Sequence, residues 1–503
     1  MILSSRGDYM FKIMSASEAI SLIKDNDCIG INSFLALSNP DALHDALTQR
    51  FLNTGHPTNL RLFCTAGFGA WDENRFAEPY VAHGAVTEVI AGHFASMPVC
   101  TRLAHENKLD AYTLPLGAMS HTIRGAAARL PGILSEVGIG TFVDPRISTP
   151  SLNERSRKKL VSLVEIEGKE YLYYKTPEID IAFIKGTTVD PNGNITFEKE
   201  YLTVDALAMA QATKANGGKV IVQVEQVSHI FSRPRSVIVP GILVDAVVVC
   251  KSNEKYNPTL SGDIHVPPTH MDYFMSRLQV SKIRKDDSAD IIGERAAREL
   301  VSGQIINIGI GIPENVGKYA SKLGVLKNVS STVEAGGIGG LPAPDVAFGA
   351  TIGADMICDT SAQFDFYDGG GLDICFLGAL EVDRYGNVNA HKLPTGYSGI
   401  GGFINITHAT KTIVFCLTFT AKGLVALRDR DGVMIKNEGT ISKFKNEISA
   451  ISFSAKNALK KGQRVLYVTE RCVFELTPDG LRLKEVYDGI SPESIRNALD
   501  FDV

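Results

Sequence analysis

The chain repeats itself. IDIAFIKGTTVDPNGNIT (179–196) aligns without a gap on LDICFLGALEVDRYGNVN (372–389) at an offset of 193. Asp180/Asp373, Ile181/Ile374, Phe183/Phe376, Val189/Val382, Asp190/Asp383, Gly193/Gly386 and Asn194/Asn387 are identical. That is seven positions in eighteen, where ordinary residue frequencies give roughly one, so duplication is the better explanation. A looser match joins AISLIKDNDCIGINSF (19–34) to ARELVSGQIINIGIGI (297–312) at an offset of about 277: a short helical pattern, a polar turn, then an apolar strand entering a loop. The two offsets differ because the N-terminal half carries roughly 80 additional residues between its repeated motifs. The surplus falls between about 84 and 176, where PGILSEVGIGTFVDPR and the charged NERSRKKLVSLVEIEGKEYLYY suit an added subdomain or a flap over a site.

Around these motifs, apolar strands of 4–8 residues alternate with helical patterns such as SEAISLIK, YLTVDALAMAQATKA, GERAAREL and PENVGKYASKLG. Such alternation predicts βαβ units, hence an α/β fold of two duplicated open domains with mainly parallel sheets, the first enlarged. A length of 503 residues with 44% apolar content supports more than one core. The polar, proline-bearing stretch 251–274 reads as the linker, which places the domains at 1–274 and 275–503.

Composition narrows the partners. With 51 Lys+Arg against 56 Asp+Glu there is no electrostatic reason to expect a nucleic acid. The eight cysteines form no C-x-x-C and mostly sit inside apolar runs, as small buried hydrophobes of a reducing compartment do. The first twenty residues resemble neither a signal nor a transit peptide, and the most apolar run, VIVPGILVDAVVVC, is interrupted and too short to span a bilayer. A cytoplasmic protein without a membrane partner is expected.

The 46 glycines cluster in short runs, and three of these could serve a site. In NVSSTVEAGGIGGLPAPDVAFG (328–349) a β-prone run delivers Glu334 to a glycine-rich loop, where an open α/β sheet would place a reactive side chain; an ordinary solvated carboxylate is the alternative. In IINIGIGIPENVGKY (305–319), Gly309 and Gly311 lie between a strand and a helix opened by Pro313 and Glu314, suited to an anion or a developing oxyanion, or simply to a tight turn. In HKLPTGYSGIGGFINITHATKTIVF (391–415), Gly399, Gly401 and Gly402 precede a strand, and Gly401 is placed to present an N–H into a cleft; a bulge or turn competes. Asp365, Tyr367 and Asp368 read as part of a pocket wall rather than a metal site. The basic run Arg155, Arg157, Lys158, Lys159 reads as a solvated helix face, or as a phosphate contact at the edge of a site.

Dispersed histidines without H-E-x-x-H argue against zinc, and no metal is expected. G-x-S-x-G and G-x-x-x-x-G-K-[ST] are absent, and Glu314 breaks a G-x-G-x-x-G pattern, which disfavours a dinucleotide fold.

Taken together, T-V-E-A-G at Glu334, G-I-G-I-P before it, QFDFYDGGGLD and GIGGF after it, and the duplicated D-x-x-GN strands resemble the class I coenzyme A transferases. Over nearly the whole chain the likeness is to the fused single-chain branch that contains acetate and propionate CoA-transferases. SHTIRGAAARLPGILSEVGIGTFVDPR, GTTVDPNGNITFEKE, GGKVIVQVE and VPGILVD carry it through the N-terminal half. The resemblance implies that Glu334 attacks an acyl-CoA thioester and passes through a glutamyl-CoA thioester in a ping-pong exchange with a carboxylate. It implies CoA contact and oxyanion stabilisation at Gly309, Ile310, Gly311, Ile312, Pro313, Gly399, Gly401 and Gly402, and a substrate pocket near Leu116, Phe34 and Tyr367. Coenzyme A would be a substrate with no permanently bound cofactor, and a homodimer or homotetramer is implied. An acyl-CoA hydrolase on the same scaffold and a non-catalytic ligand-binding subunit are the alternatives.

Two departures stand out. INSFLALSNP (31–40) replaces the branch's usual G-F-x-G-type loop, and Pro115-Leu116-Gly117 replaces its usual Pro-Gln-Gly. Leu116 removes an amide near the expected carboxylate pocket, which points to an acyl group bulkier or more apolar than acetate.

Overall fold

The computed structural model describes residues 11–250, 286–343, 347–393 and 396–503. The expected linker and the 274/275 boundary lie outside the described residues. Eight parallel strands form the first sheet, in spatial order Lys12–Met14, Ala246–Val249, Lys219–Val224, Ile181–Lys185, Cys28–Ile31, Leu60–Cys64, Val86–Ala91 and Asp110–Tyr112. The second has nine: Met356–Ile357, Gly337–Ile338, Ser330–Thr332, Ile305–Ile308, Ile374–Gly378, Thr412–Cys416, Arg464–Val468, Cys472–Thr477 and Gly480–Val486. Its centre is parallel and both of its edges are antiparallel. The central strand Ile181–Lys185 is buried at all five positions, as expected of a parallel strand covered on both faces.

The repeat survives as registered geometry. Ile29 pairs with Ile181 and Ile306 pairs with Ile374, so both sequence offsets reappear as strand pairings. Asp180 Oδ2 accepts from the Cys28 N–H at 2.8 Å, and Asp373 Oδ2 accepts from the Ile305 N–H at 2.9 Å. Asp190 Oδ1 accepts from the N–H groups of Asn192 and Asn194, and Asp383 Oδ1 from those of Tyr385 and Asn387. Both identical aspartate pairs therefore fix backbone that the two halves share.

The surplus is located by the same comparison. The C-terminal half passes from the helix Thr360–Asp368 to the strand Ile374–Gly378 through a short turn. The N-terminal half inserts a three-stranded antiparallel sheet, Gly132–Ser135, Val161–Ile166 and Lys169–Lys175, between the helix Leu116–Ala127 and the strand Ile181–Lys185. This insert clasps the other half: the Phe142 N–H donates to the Ile451 carbonyl at 2.7 Å, and the Phe142 ring stacks on His391 at 3.8 Å. The basic run forms no helix; Arg155 pairs with Asp110 and Lys158 with Glu88 at the sheet edge. The core is continuous between the halves, with Phe34, Leu116 and Met119 in one cluster with Val333, Phe364 and Tyr367.

Candidate active site

Glu334 follows the carboxyl end of the strand Ser330–Thr332, where the chain turns sharply as the Gly336 N–H donates to the Val333 carbonyl. Its side chain reaches a cavity of about 300 Å³ between the halves. Phe34, Leu35, Ala66, His93 and Leu116 line it from the N-terminal half. The C-terminal half contributes Asn307, Gly309, Phe348 and the run Ser398 to Phe403. Among the described residues no lysine or arginine lines it.

Burial raises the Glu334 carboxyl to about 7, and a hydrogen bond from the Gly402 N–H opposes that rise. With its pKa near neutrality, a substantial fraction is ionised at pH 7 while the group is stripped of most of its water. The approach of Gly402 is so close that a Cβ there would sit 1.9 Å from Glu334 Oε2.

Four cross-half hydrogen bonds place Gly402. The Gly401 N–H donates to the Gly92 carbonyl at 2.7 Å, and the Leu116 N–H donates to the Gly401 carbonyl at 2.9 Å. Thr113 Oγ1 accepts from the Ile400 N–H at 3.1 Å, and Asn405 Oδ1 accepts from the Gly117 N–H at 3.1 Å. This corrects the sequence reading in one respect: the Gly401 N–H is spent on Gly92, and the donor at the carboxylate is Gly402. The following residues, Phe403–Ala409, form a helix before the strand is reached.

The other loop divides similarly. Gly309, Ile310 and Ile312 line the cavity, whereas Gly311 and Pro313 do not. The Gly309 N–H donates to the Phe376 carbonyl and the Gly311 N–H to Glu314 Oε1, which removes both from the supply of anion donors. Phe34 and Leu116 line the cavity as expected, but Tyr367 is fully buried behind it. Its hydroxyl donates to Thr332 Oγ1 at 2.9 Å and accepts from Asn307 Nδ2 at 3.3 Å. The helix Thr360–Asp368 is not a cavity wall. It packs against Leu116–Ala127, where Asp365 meets His121 and Arg124, and burial raises Asp368 to about 7. The inserted sheet contributes nothing to the cavity lining, so it is a clasp between the halves and not a flap over Glu334.

His93 and Asn307 are among the lining residues that escaped the sequence reading. His93 lies just past the carboxyl end of the strand Val86–Ala91, and burial depresses its imidazole to about 4, so it is neutral at pH 7. Asn307 is the lone polar side chain in the strand Ile305–Ile308. Its Nδ2 donates to the Thr332 carbonyl at 3.2 Å, which can only accept; this fixes the amide, and Oδ1 is buried without a partner. A polar residue interrupting an apolar strand, and a histidine at a strand's carboxyl end, were the available signals.

Comparison with known proteins agrees with this geometry. The family described as Coenzyme A transferase matches residues 13–250 and 289–422. The chain is 39% identical over 499 residues to acetate CoA-transferase YdiF of Escherichia coli, covering 97% of this chain and 92% of that protein. It is 38% identical over 507 residues to caffeate CoA-transferase of Acetobacterium woodii, covering 98% and 94%. A crystal structure of the acyl-CoA transferase YdiF from Escherichia coli, described as a thioester complex with CoA, superposes with a TM-score of 0.88 at 37% identity, covering 98% of this chain and 93% of that one.

Proposed function

This chain belongs to the coenzyme A transferase family, and on that premise we propose that it moves CoA reversibly from a short-chain acyl-CoA to a carboxylate through a glutamyl-CoA thioester on Glu334. The observation that carries the reading is Glu334 itself: a desolvated carboxylate raised to about 7, held by one backbone N–H, in a cavity that no lysine or arginine lines among the described residues.

In the first step a Glu334 oxygen adds to the thioester carbonyl and the C–S bond breaks, leaving an acyl-glutamyl anhydride and the CoA thiolate. The thiolate adds to the glutamyl carbonyl, the anhydride bond breaks, and the original acyl group departs as a carboxylate. The incoming carboxylate runs the same two steps in reverse. Each intermediate keeps the acyl activation, so no nucleotide triphosphate is required. The Gly402 N–H bonds one carboxylate oxygen and leaves the other for attack. Burial supports the nucleophile in two ways, by removing the water that would stabilise its ground state and by excluding the water that would hydrolyse the intermediates. Ile310, Ile312 and the run Gly399 to Gly402 are the proposed contacts for the thiol end of CoA.

The proposal extends to organisation: residues 1–274 and 275–503 act as an α-subunit-like half and a β-subunit-like half, the second carrying the nucleophile. The duplicated strand pairings and aspartate hydrogen bonds support that division.

Incubation with acyl-CoA and no acceptor, followed by proteolysis and mass spectrometry, is expected to find CoA on the peptide containing Glu334. An unmodified Glu334, together with an active Glu334→Ala variant, would overturn the mechanism. Hydrolysis exceeding transfer in the presence of acceptor would favour the hydrolase instead.

A further inference from the structure

We propose that the acyl subsite of this enzyme is built for an uncharged, apolar monocarboxylic acyl group larger than acetyl, and that it rejects dicarboxylic acyl groups; this inference rests on Glu334 being the nucleophile of CoA transfer. The subsite is the part of the cavity walled by Phe34, Leu35, Ala66, Leu116 and Phe348, with the Phe34 and Phe348 ring centroids 6.4 Å apart. All five of these side chains are buried, so an acyl chain entering among them leaves water for hydrocarbon.

The polar groups that remain point the same way. A second carboxylate, as on a succinyl group, needs a cation or several N–H donors, and no lysine or arginine lines the cavity among the described residues. His93 is neutral at pH 7. Asn307 offers no side-chain donor, since its amide nitrogen is committed to the Thr332 carbonyl and the Tyr367 hydroxyl. The start of the helix Leu116–Ala127 offers no anion seat either, because the N–H groups of Leu116 and Gly117 are held by Gly401 and Asn405. A distal carboxylate would therefore meet hydrocarbon walls and no side-chain cation among the described residues. An unpaired charge buried in such surroundings costs at least about a hundredfold in affinity. Each methylene of an apolar chain that is buried instead gains about fourfold.

The test is a donor panel with the wild-type enzyme: acetyl-, butyryl-, isovaleryl- and succinyl-CoA, each with a fixed monocarboxylate acceptor, read as kcat/KM. Butyryl-CoA is expected to exceed acetyl-CoA by about fifteenfold, two added methylenes at about fourfold each, and isovaleryl-CoA, with three added carbons, by at least as much. Succinyl-CoA is expected to fall at least about a hundredfold below butyryl-CoA. Succinyl-CoA within tenfold of butyryl-CoA, or acetyl-CoA as the best donor, would overturn the proposal while leaving CoA transfer intact. No transfer from any donor would instead defeat the reading on which it rests. Leu116→Gln, checked for folding by its melting curve, adds a comparison that does not depend on the absolute rates: the butyryl-to-succinyl ratio is expected to shrink at least fivefold, and an unchanged ratio in a folded variant would remove Leu116 from the subsite.

Discussion

Gly402→Ala isolates what the closest contact in the site contributes. Gly402 has φ −81° and ψ −2°, a right-handed conformation that alanine adopts freely, so the substitution introduces no backbone strain and retains the N–H. Its effect is steric: the new Cβ would lie 1.9 Å from Glu334 Oε2, where side-chain atoms do not come within 3.0 Å, so the carboxylate must retreat by about an ångström. A displacement of that size at a nucleophile costs about a hundredfold in rate, or about 2.7 kcal/mol of barrier. The assay is CoA transfer under saturating donor and acceptor, beside a thermal melt. We expect kcat to fall by about two orders of magnitude with the melting temperature nearly unchanged. Gly401→Ala supplies the contrast. Nothing lies within 4 Å of a Cβ there, but its φ is +53°, so that variant is expected to lose about 1 kcal/mol of stability and to keep its rate to within a few fold. Full activity in Gly402→Ala would refute the contact between Gly402 and Glu334 as the organising feature of the site.

Two further outcomes follow from named groups. Because the Glu334 pKa is raised to about 7 by burial and the nucleophile is the anion, kcat/KM is expected to fall about tenfold per unit below pH 7 and to level off above it. An acid whose folded pKa exceeds its unfolded value stabilises the fold below the unfolded pKa, and that stability is lost as pH rises through the folded one; Glu334→Gln should therefore gain up to about 3 kcal/mol over wild type at pH 8 and nothing near pH 4, measured by denaturant unfolding, and an equal gain at both would contradict the shift. Asp190→Ala strips a buried carboxylate from three backbone N–H groups and one asparagine amide, and Asp383→Ala strips one from two backbone N–H groups and one asparagine amide; each is expected to cost about 2–3 kcal/mol in thermal melts, and a silent variant in either half would break the structural equivalence.

What could be read from the sequence was local or repeated. The aspartates of the D-x-x-GN strands bond to backbone within a few residues, so their roles recur wherever the motif does, and both strand offsets reappear as pairings. Glu334 was legible because its position needs only a strand and the glycine turn after it. Most of the errors share a different cause: each concerned a group whose partner is distant in the sequence, for Gly401 and the insert in the other half. The Gly401 N–H points at Gly92, 309 residues earlier, and no local pattern encodes that. Tyr367 lies on a helix face that packing against Leu116–Ala127 turns inward. The inserted sheet looked like a flap because its charge and length suit one, but its apolar contact, Phe142 on His391, is with the opposite half. The basic run failed as a helix because Asp110 and Glu88, at the edge of the first sheet, supply its counter-charges.

The register of the two sheets also shows what the half without Glu334 contributes to its site. Cys28 pairs with Arg61 as Ile305 pairs with Ser330, and Cys28 and Ile305 are equivalent, so Thr65 occupies the place of Glu334 in the first half. Thr65 is buried and donates to Asp205, a carboxyl that burial raises to about 6 and that also accepts from Ser120. Thr65, Ser120 and Asp205 are all buried, with both hydroxyls bonded to the one carboxyl. The first half also supplies Gly92, Thr113, Leu116 and Gly117, which bond the segment from Ile400 to Asn405. That segment carries the Gly402 N–H. Glu334 is thus encoded in one half and its backbone donor is positioned by the other, so separating the halves would remove the Gly402 contact even with Glu334 and its strand intact.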